Sequence, residues 1–119
     1  MTTEELLNLD FREQRNRDKL LKALKIIPPL SKIPDDELEP CHLEKALHIM
    51  CNKYGIFVRI QQDPVSGDKC DIWHCIIYNR KDLSTLGSIY GISLFEVFIK
   101  TNIAAYSIVK KIKRREKRK

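Results

Sequence analysis

The hydrophobic pattern of the chain changes from a helical period to a strand period at Gly55, which restricts the fold to a mixture of helices and strands. Before this point, apolar residues recur at three- and four-residue steps between residues 40 and 54, as on the buried face of a helix. Pro40 suits the first helical position, and Gly55 suits the left-handed residue just past a helix end. The sequence therefore predicts a helix over residues 40–54.

Two strands are predicted next, over residues 56–60 and 70–78, because both segments are rich in β-branched and aromatic side chains. The polar segment 63–68 joins them as the tip of a hairpin. Alternation divides the side chains of the second strand between two faces: Cys70, Ile72, His74, Ile76 and Tyr78 on one, and Trp73, Cys75 and Ile77 on the other. Both faces carry apolar groups, so the pattern predicts a sheet that is covered on both sides.

Two further helices flank this centre. An amphipathic pattern over residues 3–26 predicts one long N-terminal helix, which starts with a capping box at Thr2 and stops before Pro28. The last helix is predicted over residues 93–113, where Ser93 precedes an apolar run as a helix cap.

These elements predict a single domain of the α+β class, in which a small antiparallel sheet built on the hairpin is covered by two or three helices. The N-terminal helix takes residues 1–27, the α+β core residues 40–109 and a basic tail residues 110–119. Residues 30–39 contain Pro34 and four acids and predict an exposed loop. Because a two-stranded sheet is marginal in water, it needs cover from helices or from a second copy of the chain in a homodimer.

The basic tail carries the whole positive excess of the chain. Residues 110–119 hold eight basic side chains and one acid, a net charge of +7, whereas residues 1–109 sum to −1. Such a cluster attracts nucleic-acid phosphates or an acidic protein surface. The residues predicted to bind this partner are Lys110, Lys111, Lys113, Arg114, Arg115, Lys117, Arg118 and Lys119. A frayed, solubilising end is the alternative interpretation. Cations at a helix C-terminus also complement the helix dipole, which accounts for part of the charge.

The chain shows no membrane or export signal. The longest apolar stretch, residues 92–109, contains Glu96, Lys100 and Asn102 and does not suit a membrane span. The first residues lack the basic and then apolar pattern of a secretory signal, so the sequence predicts a cytoplasmic protein. In that compartment the four cysteines are predicted to be free thiols: Cys41, Cys51, Cys70 and Cys75.

No catalytic, metal or cofactor motif stands out. Cys70 and His74 are four residues apart on a predicted strand, about 13 Å, which is too far for them to share a zinc ion. The chain also lacks a Cys-x-x-Cys pair, a nucleophile elbow and a Gly-rich phosphate loop. We therefore predict a protein that is not an enzyme and holds no metal or cofactor.

Residues 86–97 allow a second interpretation. The spacing from Gly87 to the apolar Val97 is similar to the turn of a helix-turn-helix motif, which predicts a DNA-binding regulator. However, Lys100 stands where a recognition helix places an apolar residue, and Phe95 cannot hydrogen-bond to base edges.

The segment 90–106, Tyr-Gly-Ile-Ser-Leu-Phe-Glu-Val-Phe-Ile-Lys-Thr-Asn-Ile-Ala-Ala-Tyr, resembles the closing helix of small bacteriophage and prophage proteins of the ABA-sandwich type. In that group a Gly, a Ser or Thr cap and an apolar run precede a helix of small residues. The resemblance extends over about residues 40–106 and implies a phage or prophage origin and helix–sheet–helix layering. It transfers no site residues, and the N-terminal helix and basic tail lie outside it.

The sequence as a whole predicts a small binding protein of phage or prophage type that docks on a host protein or on nucleic acid in the host cytoplasm. In this hypothesis the basic tail brings an acidic target close, and an apolar or aromatic surface fixes it. Besides the helix-turn-helix regulator, a sponge or inhibitor for a small nucleotide is an alternative, with a discrete site that survives loss of residues 110–119.

Overall fold

The computed structural model describes residues 1–64 and 71–117. Its helices are α1 Thr3–Leu7, α2 Gln14–Leu24, α3 Pro40–Tyr54 and α4 Leu94–Lys117, and its strands are β1 Ile56–Pro64, β2 Asp71–Asn79 and β3 Thr85–Gly91. The tip of the predicted hairpin, Cys70, Arg118 and Lys119 lie outside the described residues, as does the side chain of Lys117.

The three strands form one antiparallel sheet in the order β1-β2-β3, which confirms the predicted α+β class. The predicted hairpin is β1 and β2, with Ile60 opposite Cys75. Strand β3 was not predicted, and it occupies the segment interpreted as a helix-turn-helix turn. That interpretation is wrong, because a strand rather than a helix precedes α4.

Helices cover one face of the sheet. The inner face of β2 and β3 carries Cys75, Ile77 and Ile89, all buried where α4 packs, whereas α3 packs on β1. On the outer face, aromatic rings stack on each other across neighbouring strands: Phe57 on Tyr78 at 4.9 Å and His74 on Tyr90 at 4.1 Å between ring centroids. The prediction of cover on both sides is therefore wrong for the described residues, because these cross-strand pairs take the place of a second layer of helices.

Both ends of α3 lie where the sequence places them. Pro40 is in the first turn, and Gly55 follows the helix in the left-handed conformation, with a φ of 68°. The backbone N–H of Glu39 donates to Nδ1 of His42 at 3.0 Å, which completes the cap.

The predicted N-terminal helix is wrong as a single element, because it is divided into α1 and α2. Between them, the carboxylate of Asp10 accepts hydrogen bonds from the backbone and the guanidinium of Arg12. The backbone carbonyl of Leu9 accepts a hydrogen bond from Nζ of Lys100 at 2.9 Å, and the Phe11 ring meets Phe95 edge to face. Helix α4 thus holds the segment between α1 and α2 in place through residues that are far away in sequence.

The connector between α2 and α3 is only partly the exposed loop that its composition predicts. Leu30 is buried in the core, and Asp35–Glu37 forms a short 3-10 helix. The ammonium of Lys25 binds the carboxylate of Asp35 and the carbonyl of Ile33, which ties the connector to the end of α2.

Helix α4 is the central element, since it packs on α1, α2, α3, β2 and β3. The cap predicted at Ser93 is present: its hydroxyl accepts from the N–H of Glu96 at 3.2 Å, and the Glu96 carboxylate accepts from the N–H of Ile92. The helix continues to Lys117, so most of the predicted basic tail is helical.

Candidate anion-binding surface

The basic residues of the predicted tail project from the last turns of α4. Lys110, Lys111, Lys113, Arg114 and Arg115 are all exposed. Because each residue turns by about 100° around an α-helix, these five positions spread over roughly 200° of its circumference rather than forming one narrow stripe. Ile112 packs against the core among them, which holds this part of the helix to the body of the protein.

Two of these lysines border a cleft of about 220 Å³ where the basic segment of α4 begins. The cleft lies between the end of α3, the Pro28–Pro29 corner after α2 and the exposed side of α4. Its walls are largely apolar and its charged lining residues are all lysines: Ile27, Pro28, Pro29, Ile49, Met50, Lys53, Tyr54, Tyr106, Val109, Lys110 and Lys113.

The lysines of the cleft lie against tyrosine rings. Nζ of Lys110 is 4.8 Å from the centroid of the Tyr106 ring, and Nζ of Lys113 is 5.1 Å from that of Tyr54. Lys53, from the last turn of α3, approaches the Tyr54 ring from a second direction at 5.5 Å. These distances are within the range of cation–π attraction, so the rings help to position the ammonium groups at the mouth of the cleft.

The electrostatics of the cleft favour negative charge. The hydrogen bond from Lys113, with the charges of Lys113 and Lys53, lowers the pKa of Tyr54. The same hydrogen bond to Tyr54 raises the pKa of Lys113. The Lys113 ammonium therefore stays charged at neutral pH, and an anion that enters the cleft meets the side chains of three lysines and two tyrosines.

The structure thus unites part of the predicted site with residues that the sequence analysis missed. Lys110 and Lys113 border the cleft, whereas Lys111, Arg114 and Arg115 are not among the residues that line it. Lys53 was missed because its proximity to α4 is a tertiary contact. The spacing of Tyr106, Lys110 and Lys113 at i, i+4 and i+7 was an available signal, since these positions share a helix face.

The outer face of the sheet is a second candidate surface. Tyr90 is exposed and stacks on His74, whose Nε2 lies 2.6 Å from the hydroxyl of Ser88. Phe57 and Tyr78 continue this aromatic surface onto β1 and β2. Trp73, in contrast, belongs to the inner face, opposite Gly91.

Within the described residues, no group of three or more His, Cys, Asp or Glu side chains could hold a metal ion. Cys41, Cys51 and Cys75 are free thiols. Burial raises the pKa of both Cys51 and Cys75, which reduces their thiolate fraction at neutral pH. Neither buried thiol is therefore an activated nucleophile.

The cysteines are expected to differ in their rate of alkylation by iodoacetamide. Exposed Cys41 should react at least about tenfold faster than Cys51 and Cys75, because the reaction needs an accessible thiolate. Peptide mapping by mass spectrometry after timed labelling near neutral pH measures each rate. In guanidinium chloride the rates should become similar, whereas equal rates in the folded protein would contradict the burial of Cys75.

A comparison of this chain with protein-family models, curated proteins and solved structures finds no match. None of the helices in the described part of the chain has the length and hydrophobicity needed to cross a membrane. The resemblance to phage and prophage proteins therefore stays a prediction.

Proposed function

We propose that this protein is a non-enzymatic binding protein that docks on an acidic partner, with nucleic acid as the first candidate and an acidic host protein as the second. The observation that carries the proposal is the display of five exposed cations on the last turns of α4, next to a cleft whose three charged residues are all lysines. Such an array attracts phosphates without a base-specific reader, and affinity falls as salt rises.

The position of the cations on a helix supports a defined contact. Ile112 and Val109 pack against the core, so the basic turns are attached to the body of the protein. Exposed cations bring a polyanion close by long-range attraction, and the apolar walls of the cleft then exclude water from the groups that enter it. The element directly before α4 is strand β3 rather than a helix, so the proposal does not include recognition of DNA bases by a helix-turn-helix motif.

The test is the binding of fluorescent duplex DNA and of RNA, followed by anisotropy over a series of salt concentrations. Glutamine replaces Lys110, Lys111, Lys113, Arg114 and Arg115 together, since truncation after Val109 would also remove Ile112 from the core. We expect affinity at low salt to fall about a hundredfold or more. The magnitude of the slope of log K against log salt for duplex DNA should decrease by up to about 4.5, since each of the five lost phosphate contacts contributes roughly 0.9.

A matched control removes the same charge elsewhere. Glutamine at five other exposed cations, Arg15, Lys19, Lys22, Lys32 and Lys45, should leave most of the affinity and slope intact. If both variants lose the same affinity, only net charge matters and the α4 surface is not a site. If the wild-type protein binds neither nucleic acid at low salt, the nucleic-acid proposal is wrong and an acidic protein becomes the partner to seek.

The cleft favours one other function, the binding of a small nucleotide as a sponge or inhibitor. Its apolar walls suit a base and its lysines suit a phosphate. Because Lys110 and Lys113 line it, this site does not survive loss of residues 110–119, unlike the site expected from the sequence. Calorimetric titration with mononucleotides tests this function: Lys53→Gln should abolish binding and Lys45→Gln should not, and no heat with any nucleotide excludes it.

A further inference from the structure

Strand β3 forms one edge of the sheet and lacks most of the features that usually prevent edges from pairing. Within the described part of the chain the sheet ends at β3, whose hydrogen-bonding partner is β2. Natural sheets protect such edges with charged residues, prolines, bulges or a covering element. Residues 83–95 contain no charged residue and no proline. The one irregularity of β3 is a bulge at Leu86, and Gly87 to Gly91 pair regularly with β2.

The other edge of the same sheet is protected. Strand β1 contains Arg59, which is exposed, and ends with Asp63 and Pro64. A charge in the middle and a proline at the end both oppose the addition of another strand. The difference between the two edges makes β3 the less protected of the two.

Apolar side chains are concentrated along β3. Among the described residues, seven large hydrophobic side chains are exposed, and four of them lie between residues 83 and 92. These four are Leu83 at 63%, Leu86 at 37%, Tyr90 at 58% and Ile92 at 58% exposure. Leu83 also has a φ of 60°, a left-handed conformation that a branched side chain rarely adopts. A strained backbone that holds an apolar side chain in water is typical of a contact site.

We propose that a second copy of this chain pairs with β3 edge to edge, in antiparallel orientation, to form a dimer with a six-stranded sheet. The two-fold axis passes beside Ser88. This register places Leu86 of each copy opposite Tyr90 of the other, so an aliphatic and an aromatic side chain meet twice on the same face. An uncharged strand suits a second copy of itself, because identical charges would otherwise face each other across the axis.

The direction of α4 is compatible with a second copy on β3. A Cβ atom on Gly91 would lie 2.7 Å from Cγ2 of Val97, and one on Gly87 would lie 3.6 Å from Cδ1 of Ile108. Helix α4 therefore runs back along β3, and its basic end projects beyond the Thr85 end of the strand. An antiparallel pair directs the two basic ends away from each other, so the net charge of +6 on each copy does not oppose the dimer strongly.

The experiment measures the mass of the full chain in solution by sedimentation equilibrium over a dilution series. Wild-type protein should approach the mass of two chains. Ser88→Lys and Ser88→Glu should each weaken self-association about tenfold or more, because like charges then face each other at the axis. Mixing the two variants should restore a dimer, since the opposite charges now pair. Asn52→Lys, at an exposed position on α3, adds the same charge away from the edge and should leave the dimer intact.

The mixing step separates a lost interface from a lost fold. Ser88 lies next to His74, so circular dichroism should first show that both variants keep the wild-type spectrum. A wild-type protein that is monomeric at every concentration overturns the proposal and leaves β3 to a strand from another protein. The proposal is equally overturned if both Ser88 variants still form homodimers, or if the mixture does not associate. None of these results depends on binding of nucleic acid by α4.

Discussion

Lys100→Met is expected to lower the free energy of unfolding by about 3–5 kcal/mol. The side chains of Lys100 and Glu96 are 6% and 8% exposed, and Nζ of Lys100 lies 2.8 Å from the Glu96 carboxylate. Methionine fills a similar volume, but it leaves the carboxylate buried without a cation and the Leu9 carbonyl without its donor. Urea unfolding, followed by circular dichroism, measures the loss.

Two further variants identify the source of the loss. Lys25→Met breaks an ion pair with Asp35 whose members are much more exposed, so it should cost about 1 kcal/mol. The double variant of Glu96→Gln with Lys100→Met removes both charges of the buried pair and should be more stable than Lys100→Met alone. If Lys100→Met costs no more than Lys25→Met, the buried pair does not hold the N-terminal segment on α4.

The same buried lysine explains why one part of the fold could not be predicted from the sequence. The apolar spacing over residues 3–26 fits a continuous helix. The chain instead breaks after α1 and offers the carbonyl of Leu9 to an ammonium group 91 residues further along. Local periodicity contains no information on that contact. Pro40 and Gly55, in contrast, act on their own backbone dihedral angles, so the ends of α3 were predictable.

Strand β3 was missed for a related reason. Gly87 and Gly91 reduce its local preference for a strand, but Gly91 is needed because a Cβ atom there would lie 2.7 Å from Cγ2 of Val97 on α4. The strand is stabilised by pairing with β2, as where Ile89 lies opposite Cys75. The absence of a side chain at Gly91 thus lowers the local preference for a strand and also permits the close packing of α4. Only the tertiary structure shows the second effect.

The candidate site also has one part that could be predicted from the sequence and one part that could not. Charge density is a local property, so the basic residues of α4 were predictable from sequence. The cleft arises because α3 ends beside the last turns of α4, which brings Lys53 and Tyr54 to Lys113. The sequence of neither helix alone predicts this tertiary contact.

Asn102→Asp is expected to make the stability of the protein depend strongly on pH. Asn102 is fully buried, and its Nδ2 donates to the carbonyl of Leu43 at 3.1 Å and to that of Phe98 at 2.8 Å. A carboxylate at this position would be desolvated and would face two carbonyl oxygens without a donor. Burial and this repulsion both favour the protonated form, so the pKa of the introduced carboxyl rises in the folded state above its unfolded value of about 3.9.

The sign of the pH dependence follows from this shift. Below about pH 3 the carboxyl is largely neutral in both states, and the cost of the substitution is smallest. As pH rises the unfolded chain loses its proton first, so stability falls by about 1.4 kcal/mol per pH unit until the raised folded pKa is reached. A shift of three units would cost about 4 kcal/mol at pH 7. Urea unfolding between about pH 4 and pH 8, relative to wild type, measures this slope.

Two controls make the result specific to burial at the contact between α3 and α4. Asn102→Leu introduces no ionisable group, and the helix itself supplies donors to the carbonyls of Leu43 and Phe98. Its stability should therefore follow the wild-type pH profile. Asn52→Asp places the same carboxyl in water on α3 and should show no comparable slope. An Asn102→Asp variant that follows the wild-type profile from acid to neutral pH would mean that residue 102 contacts water, and that α3 and α4 do not pack together at this point.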